Sequence, residues 1–109
     1  MIDVQHNARV QSFYREVNEG IALISEAWEI DMLELLCECG EVGCSERILV
    51  PVATYEQLRA APTHFVVKPG HEDPAVEAVV STAGDYAIVA NRGAAASVAR
   101  GTDPRAGSS

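Results

Sequence analysis

The first part of the chain carries apolar residues at the spacing of a helix. From residue 3 to residue 29 they recur at steps of three and four, which predicts a long amphipathic helix. Gly20 in its middle costs about 1 kcal/mol relative to Ala, so a bend or a close contact is expected there. Such a stripe usually packs on the protein's own sheet, which we expect here, and the alternative is a partner helix, such as that of a second copy. The stripe consists of Val10, Phe13 or Tyr14, Val17, Ile21, Ile24 and Trp28.

Shorter apolar runs follow, and they alternate as strands do. The first three predicted strands span residues 32–38, 45–52 and 64–68. Pro51 places the second strand at an edge or marks its end. Residues 73–90 fit either a helix that starts at Pro74 or a hairpin of strands 76–81 and 86–90, and we favour the hairpin because its second run is rich in β-forming residues.

A short helix is predicted between the second and third strands. Thr54 followed by Gln57 has the form of a capping box, with Thr54 as the N-cap. Tyr55 and Leu58 then face inward, and Pro62 ends the helix.

These elements predict an α+β fold. Residues 1–31 form a long N-terminal amphipathic helix, and residues 32–91 form a small metal-binding domain. This domain has a small antiparallel sheet, a hairpin turn that resembles a zinc knuckle, and one short helix. Residues 92–109 are mostly Ala, Gly, Ser and Arg without periodicity, so we expect a disordered tail.

Composition restricts the partners of this chain. Its net charge is −8 with a single lysine, which argues against direct contact with nucleic acid and favours a protein partner. No run of about twenty apolar residues exists, so no membrane span is expected. The N-terminus lacks the features of a signal peptide, which predicts a cytoplasmic location where thiols stay reduced.

All three cysteines fall in one short run, Cys37, Cys39 and Cys44. In an extended segment Cys37 and Cys39 point to the same side, and Gly40 and Gly43 can take positive φ and return Cys44 to the same point. An odd number of cysteines argues against a disulfide framework. The cluster therefore indicates a metal site.

His71 is the candidate for the fourth ligand, because the Pro69-Gly70 turn precedes it. His6 and His64 are expected to be solvated or edge residues. Four protein ligands would close the coordination sphere of zinc, so the site would be structural. Free thiols that line a turn, an iron–sulfur cluster and copper(I) are the alternatives.

Charged residues flank the cysteines and His71. The anionic centre favours N–H donors and a nearby cation, for which Arg47 is a candidate. The acidic residues around the site are expected to be solvated charges and not catalytic groups: Glu38, Glu41, Glu46 and Glu72.

Three separated motifs carry a family resemblance. Cys37-Glu38-Cys39-Gly40-x3-Cys44-x-Glu46-Arg47, then Tyr55-Glu56-x-Leu58-Arg59, then Phe65-x-Val67-x-Pro69-Gly70-His71-Glu72 resemble a group of short actinobacterial proteins with CECG-x3-C and PGHE motifs. The resemblance covers about residues 35–90. It implies that His71 belongs with the cysteines, and it implies no activity. Thr54 stands where these proteins carry Glu.

Three hypotheses for function follow. The first is a non-enzymatic, zinc-stabilised module for protein interaction or regulation, because the sequence contains no catalytic motif. A homodimer through the N-terminal helix is one form of it. The second is a redox-sensing switch of thiols and zinc. A weaker third is a metal-dependent enzyme in which His71 is not a ligand.

Overall fold

The described residues fold into three helices and five strands, and the strands form two sheets. The computed structural model describes residues 4–41 and 44–105. The elements, in chain order, are α1 (Val4–Ala27), β1 (Met32–Leu36), β2 (Arg47–Pro51), α2 (Val52–Leu58), β3 (His64–Val67), β4 (Glu77–Ala83), β5 (Tyr86–Asn91) and α3 (Gly93–Gly101). The predicted α+β class with a long N-terminal helix is therefore confirmed.

The strands form two antiparallel sheets and not the single sheet that we expected. β1 pairs with β2 in a hairpin that encloses the cysteine run, and Pro51 is the last residue of β2. The second sheet has the strand order β3-β5-β4. The hairpin of β4 and β5 confirms the choice made between a helix and a hairpin over residues 73–90.

Two apolar clusters form the core, and β3 contributes to both. Val66 packs with the buried faces of β1 and β2 and with Tyr55 and Leu58 of α2. Phe65 and Val67 point the other way, because neighbouring strand residues face opposite sides. They pack in a second cluster with Cys37, Cys39, Ala87, Val89 and Ala99. The cysteine run is thus part of the core.

α1 lies on the body of the protein through its polar face, which corrects the expected orientation. Asn18 bonds both backbone groups of Leu36, at 2.9 Å each, and Arg15 donates to the carbonyl oxygens of Pro62 and Ala99 at 2.6 and 2.8 Å. These backbone groups lie at the ends of elements, where ladder partners are missing, so polar side chains of α1 satisfy them. Most of the apolar stripe consequently faces outward: Phe13, Val17, Ile24 and Trp28 are exposed.

The predicted cap of the short helix is wrong. α2 begins at Val52 with Pro51 as its N-cap, and no side chain bonds the first turn there. Thr54 therefore lies inside the helix and cannot act as its N-cap. Tyr55 and Leu58 are buried, as expected.

The C-terminal segment is ordered where the structure describes it, so the predicted disordered tail is wrong for residues 92–105. Gly93–Gly101 form α3, and Ala95, Ala96 and Ala99 are buried. Residues 106–109 lie outside the described part of the chain. α3 extends the fold beyond the end that we predicted for the small domain and adds a second short helix.

Candidate metal centre

The cysteine run continues the β1–β2 hairpin and then leaves it. The amide of Cys37 donates to the carbonyl oxygen of Glu46 at 3.0 Å, which adds one more bond beyond the paired strands. The amide of Cys44 donates to the carbonyl oxygen of Glu41 at 3.2 Å and closes the turn. The hairpin thereby brings Cys44 back beside Cys37. Gly43, for which we expected positive φ, lies outside the described residues.

Gly40 has a different role from the one expected. Its φ is not positive, in contrast to Gly70, Gly84 and Gly93. A Cβ atom at Gly40 would lie 2.9 Å from the carbonyl oxygen of Asn7 in α1. Gly40 is therefore required because the cysteine run passes close to the backbone of α1.

A tight turn presents His71. The amide of His71 donates to the carbonyl oxygen of Lys68 at 2.9 Å, and Gly70 has a φ of 92°. Proline at the second position and glycine with positive φ at the third are characteristic of a type II turn. The turn predicted from Pro69-Gly70 is confirmed, and it directs His71 toward the cysteines.

The four predicted ligands lie together. The ligand atoms of Cys37, Cys39, Cys44 and His71 all lie within 4.8 Å of one another. His71 Nδ1 is 3.6 Å from Cys37 Sγ and 3.7 Å from Cys44 Sγ. A tetrahedral zinc ion with ordinary bond lengths separates sulfur and nitrogen ligands by about 3.6 Å. This group could therefore hold a metal ion.

Backbone amides act on all three sulfurs. The amide two residues later in the chain acts to lower the pKa of each cysteine: that of Cys39 for Cys37, that of Glu41 for Cys39, and that of Glu46 for Cys44. Cys37 Sγ also accepts from the amide of Lys68 at 3.1 Å. Such donors stabilise thiolates, which are the form of cysteine that binds metal.

The three thiols differ in acidity. A hydrogen bond from Cys39 lowers the pKa of Cys37, and the amide of Lys68 lowers it further against the effect of burial. The same bond to Cys37, together with burial, raises the pKa of Cys39. Burial also raises the pKa of Cys44. Neighbouring thiolates repel one another, and a divalent cation would relieve that repulsion.

Glu38, between two of the cysteines, is completely buried, so the expectation of a solvated charge is wrong for this residue. Its Oε2 accepts from Asn18 at 2.8 Å, and its Oε1 accepts from the amide of Val66 at 3.0 Å. Burial raises the pKa of Glu38 to about 7 in spite of these bonds. The signal in the sequence was the alternation itself, since a residue between two cysteines of an extended run faces the opposite side.

The expected cation is not at the site. Arg47 lies on the exposed side of β2, and its Nη1 is 3.6 Å from Glu34 Oε1. The side chain of Lys68 pairs with Glu46 at 2.8 Å near the turn. His6 on the exposed side of α1 and His64 in β3 lie outside the cluster, as predicted.

A cleft of about 740 Å³ opens beside Cys39 and His71. Its walls carry four acidic residues: Glu41, Glu72, Asp73 and Glu77. Burial raises the pKa of Glu77, which accepts from Gln11 at 2.7 Å. The cleft provides a route by which a cation could reach the cluster from solvent.

Comparison of the chain with protein-family models, curated proteins and solved structures found no match. Among the described residues, no helix has the length and apolar character needed to cross a membrane. The function is therefore inferred from the arrangement of the four side chains of the cluster. A centre with four protein ligands has no position left for water or substrate, which is the arrangement of structural zinc sites.

Proposed function

We propose that this chain is a non-enzymatic protein-interaction module stabilised by a structural zinc ion at Cys37, Cys39, Cys44 and His71. The observation that carries the proposal is the convergence of four ligand atoms from the cysteine run and a separate turn within 4.8 Å. Three thiolates and a neutral imidazole around a divalent ion carry a net charge of −1, and the amide donors around the sulfurs support such an anionic centre. We propose that the chain works in a reducing compartment such as the cytoplasm, where these thiols persist.

The distribution of charge and apolar surface supports interaction with another protein. The chain has a net charge of −8, which disfavours nucleic acid, and α1 exposes large apolar residues to solvent. The four residues of the cluster are all among the motif residues shared with the short actinobacterial proteins. We therefore also propose that this chain belongs with them.

Metal content of the purified, untagged protein tests the zinc site. We expect about one zinc per chain by mass spectrometry. The His71→Ala variant should bind zinc at least about tenfold more weakly, because it removes one of four ligands. The matched control is His64→Ala, since His64 is half-buried in β3 and lies outside the cluster. Wild-type protein without metal, or equal zinc affinity of His71→Ala and wild type in competition with a chelator, would contradict the proposal.

The exposure of Cys44 favours a second function, a redox switch. Cys44 is half-buried, whereas Cys37 and Cys39 are 1% and 3% exposed. The thiolate of Cys44 would attack peroxide, forming a sulfur–oxygen bond and releasing hydroxide. A second thiolate, from Cys37 or Cys39, would then displace hydroxide from that sulfur and form a disulfide. Two thiolates lose two electrons in total, peroxide becomes two hydroxide ions, and zinc loses two of its four ligands.

Zinc release measured with a chromophoric chelator distinguishes the two functions. A switch should release zinc at one equivalent of peroxide and rebind it after reduction by dithiothreitol. A purely structural site should retain zinc under this treatment. Cysteines that remain unmodified under excess peroxide would exclude the switch.

A further inference from the structure

The exposed face of α1 is an apolar seam with the spacing of a helix–helix contact. Phe13, Val17, Gly20 and Ile24 follow one another at steps of four, three and four, and Trp28 continues the line after the helix ends. Phe13, Ile24 and Trp28 are 61%, 64% and 74% exposed. Residues at this spacing lie along one side of a helix and pack into the grooves of a second helix.

No contact with the described part of its own chain requires a glycine at position 20 of this seam. A Cβ atom at Gly20 would meet no atom within 4 Å among the described residues, and φ at Gly20 is not positive. A glycine inside a helix costs about 1 kcal/mol relative to Ala. Glycine on a helix surface allows the backbone of another helix to approach closely. The seam therefore has the features of a surface on which a second helix crosses α1 at Gly20.

We infer that the occupant is α1 of a second copy, packed antiparallel across a two-fold axis near Gly20. In this arrangement Phe13 of each chain meets the end of the partner helix near Ile24 and Trp28. The inference specifies the partner in the proposed interaction function, and it does not depend on zinc.

Charge along α1 decides the direction of packing. Arg9 lies near the N-terminal end, whereas the exposed charged residues near the C-terminal end are acidic: Glu26, Glu29 and Asp31. A parallel pair would bring the two acidic ends together. An antiparallel pair brings Arg9 of one chain toward the acidic end of the other and also opposes the helix dipoles favourably. The same acidic residues and the net charge of −8 disfavour an anionic membrane as the occupant of the seam.

Sedimentation equilibrium of the full chain, over a range of micromolar concentrations, tests the dimer. We expect twice the mass of one chain for the wild type. Ile24→Glu should raise the dimer dissociation constant at least tenfold, a factor that corresponds to about 1.4 kcal/mol. Gly20→Leu should weaken the dimer similarly while it leaves the melting temperature of the monomer unchanged or higher, because the Cβ position is open. Val80→Glu is the control, since Val80 is 53% exposed on β4 and not on the seam.

Disulfide trapping in zinc-loaded protein tests the direction. With oxidised glutathione as the oxidant, the Gly20→Cys variant should form a disulfide between chains, because only a residue near the axis brings its two Cα atoms within about 7 Å. The Trp28→Cys variant should form no disulfide between chains, because residue 28 of an antiparallel pair lies far from the axis. In a parallel pair the two copies of residue 28 would be adjacent and would form one. The inference would be overturned by a wild type that stays monomeric at all concentrations, whether or not it binds vesicles of anionic phospholipid. An Ile24→Glu variant that still dimerises as the wild type does would also overturn it. Zinc measured in the same samples separates this result from failure of the metal site.

Discussion

At the scale of single residues, Gly40 connects the cysteine run to the long helix. A Cβ atom there would lie 2.9 Å from the carbonyl oxygen of Asn7 and 3.0 Å from its Cβ atom. Because backbone cannot move aside as a flexible side chain can, we expect Gly40→Ala to lower the free energy of unfolding by about 1–3 kcal/mol. Urea unfolding of the zinc-loaded protein measures this change.

Gly101→Ala is the matched control for Gly40→Ala. A Cβ atom at Gly101 meets no atom within 4 Å in the described part of the chain, and its φ is not positive. The free energy of unfolding should change by less than about 0.5 kcal/mol. Equal effects of the two substitutions would show that the contact with Asn7 does not constrain the cysteine run.

At the scale of elements, buried ion pairs attach the C-terminal segment to α1 and α2. Arg59 at the end of α2 pairs with Asp103 and with Glu19 of α1, the latter at 2.6 Å. Arg105 also donates to Glu19, at 2.8 Å. Burial acts to raise the pKa of Glu19, but the hydrogen bonds from Arg105 and Arg59 hold it below its ordinary value. The network therefore favours the ionised form of the buried Glu19 carboxylate.

Removing Arg59 should be costly because it leaves a buried carboxylate without its partner. Asp103 is 3% exposed in this pair, so Arg59→Ala should lower the free energy of unfolding by about 3 kcal/mol or more. The control is Arg47→Ala, since Arg47 and Glu34 are 65% and 61% exposed and such a pair contributes less than about 1 kcal/mol. Thermal unfolding of both variants measures the difference. If Arg59→Ala lowered the free energy of unfolding by as little as Arg47→Ala does, the network would have no stabilising role.

The elements that sequence analysis predicted well are those in which local pattern and tertiary packing agree. β1 and β2 alternate apolar and polar residues because one face of each is buried. Pro51 and the Pro69-Gly70 turn determine the backbone locally. The long helix was predicted in extent but not in orientation. Its buried positions carry hydrogen-bonding side chains whose partners are distant in sequence, such as Leu36 for Asn18 and Ala99 for Arg15. Periodicity of apolar residues does not detect such a contact.

The C-terminal helix was missed for a related reason. Its composition of small residues resembles a flexible tail, yet Ala has the highest helix propensity, and Ala95, Ala96 and Ala99 share one buried face. Small side chains allow α3 to lie close to α1 and to β5. The ion pairs of Asp103 and Arg105 then anchor the residues that follow α3. None of these contacts leaves a periodic signal in a segment of nine residues.

At the scale of the whole molecule, the cysteine run joins the two sheets. It continues β1 on one side, and on the other it bonds the open edge of β3. The amide of Glu38 donates to the carbonyl oxygen of Val66 at 2.8 Å, and the amide of Lys68 donates to Cys37 Sγ. The three cysteine ligands were predictable because cysteines close in sequence must be close in space, and His71 was predictable from the Pro69-Gly70 turn before it and from the family resemblance. Alternation predicts that Glu38 faces away from the cysteines, but its burial also depends on Asn18 and Val66, which are distant in sequence.

Because the cluster lies at this junction, zinc should stabilise the contact between the sheets. Structural zinc contributes about 10–16 kcal/mol of binding free energy in small zinc-finger peptides, which is as large as the whole stability of a typical domain, about 5–15 kcal/mol. We therefore expect chelation to lower the melting temperature and to remove hydrogen-exchange protection first at residues 37–41, 44–46 and 64–71. The interior of α1 should lose protection later, because Arg15 bonds Pro62 and Ala99 away from the cluster.

Hydrogen exchange followed by mass spectrometry, with and without a strong zinc chelator, measures this order of opening. Added zinc should restore the protection and the melting temperature, whereas magnesium should not, since it binds thiolates poorly. If the chelated protein kept its melting temperature and its protection over residues 37–41, the sheets would be joined by the core and the hydrogen bonds of Glu38 alone. The cysteines would then be free thiols in a buried turn. Loss of protection that begins at the cluster, with α1 protected for longer, is instead the pattern expected when one metal ion joins two sheets that are each stabilised by their own packing.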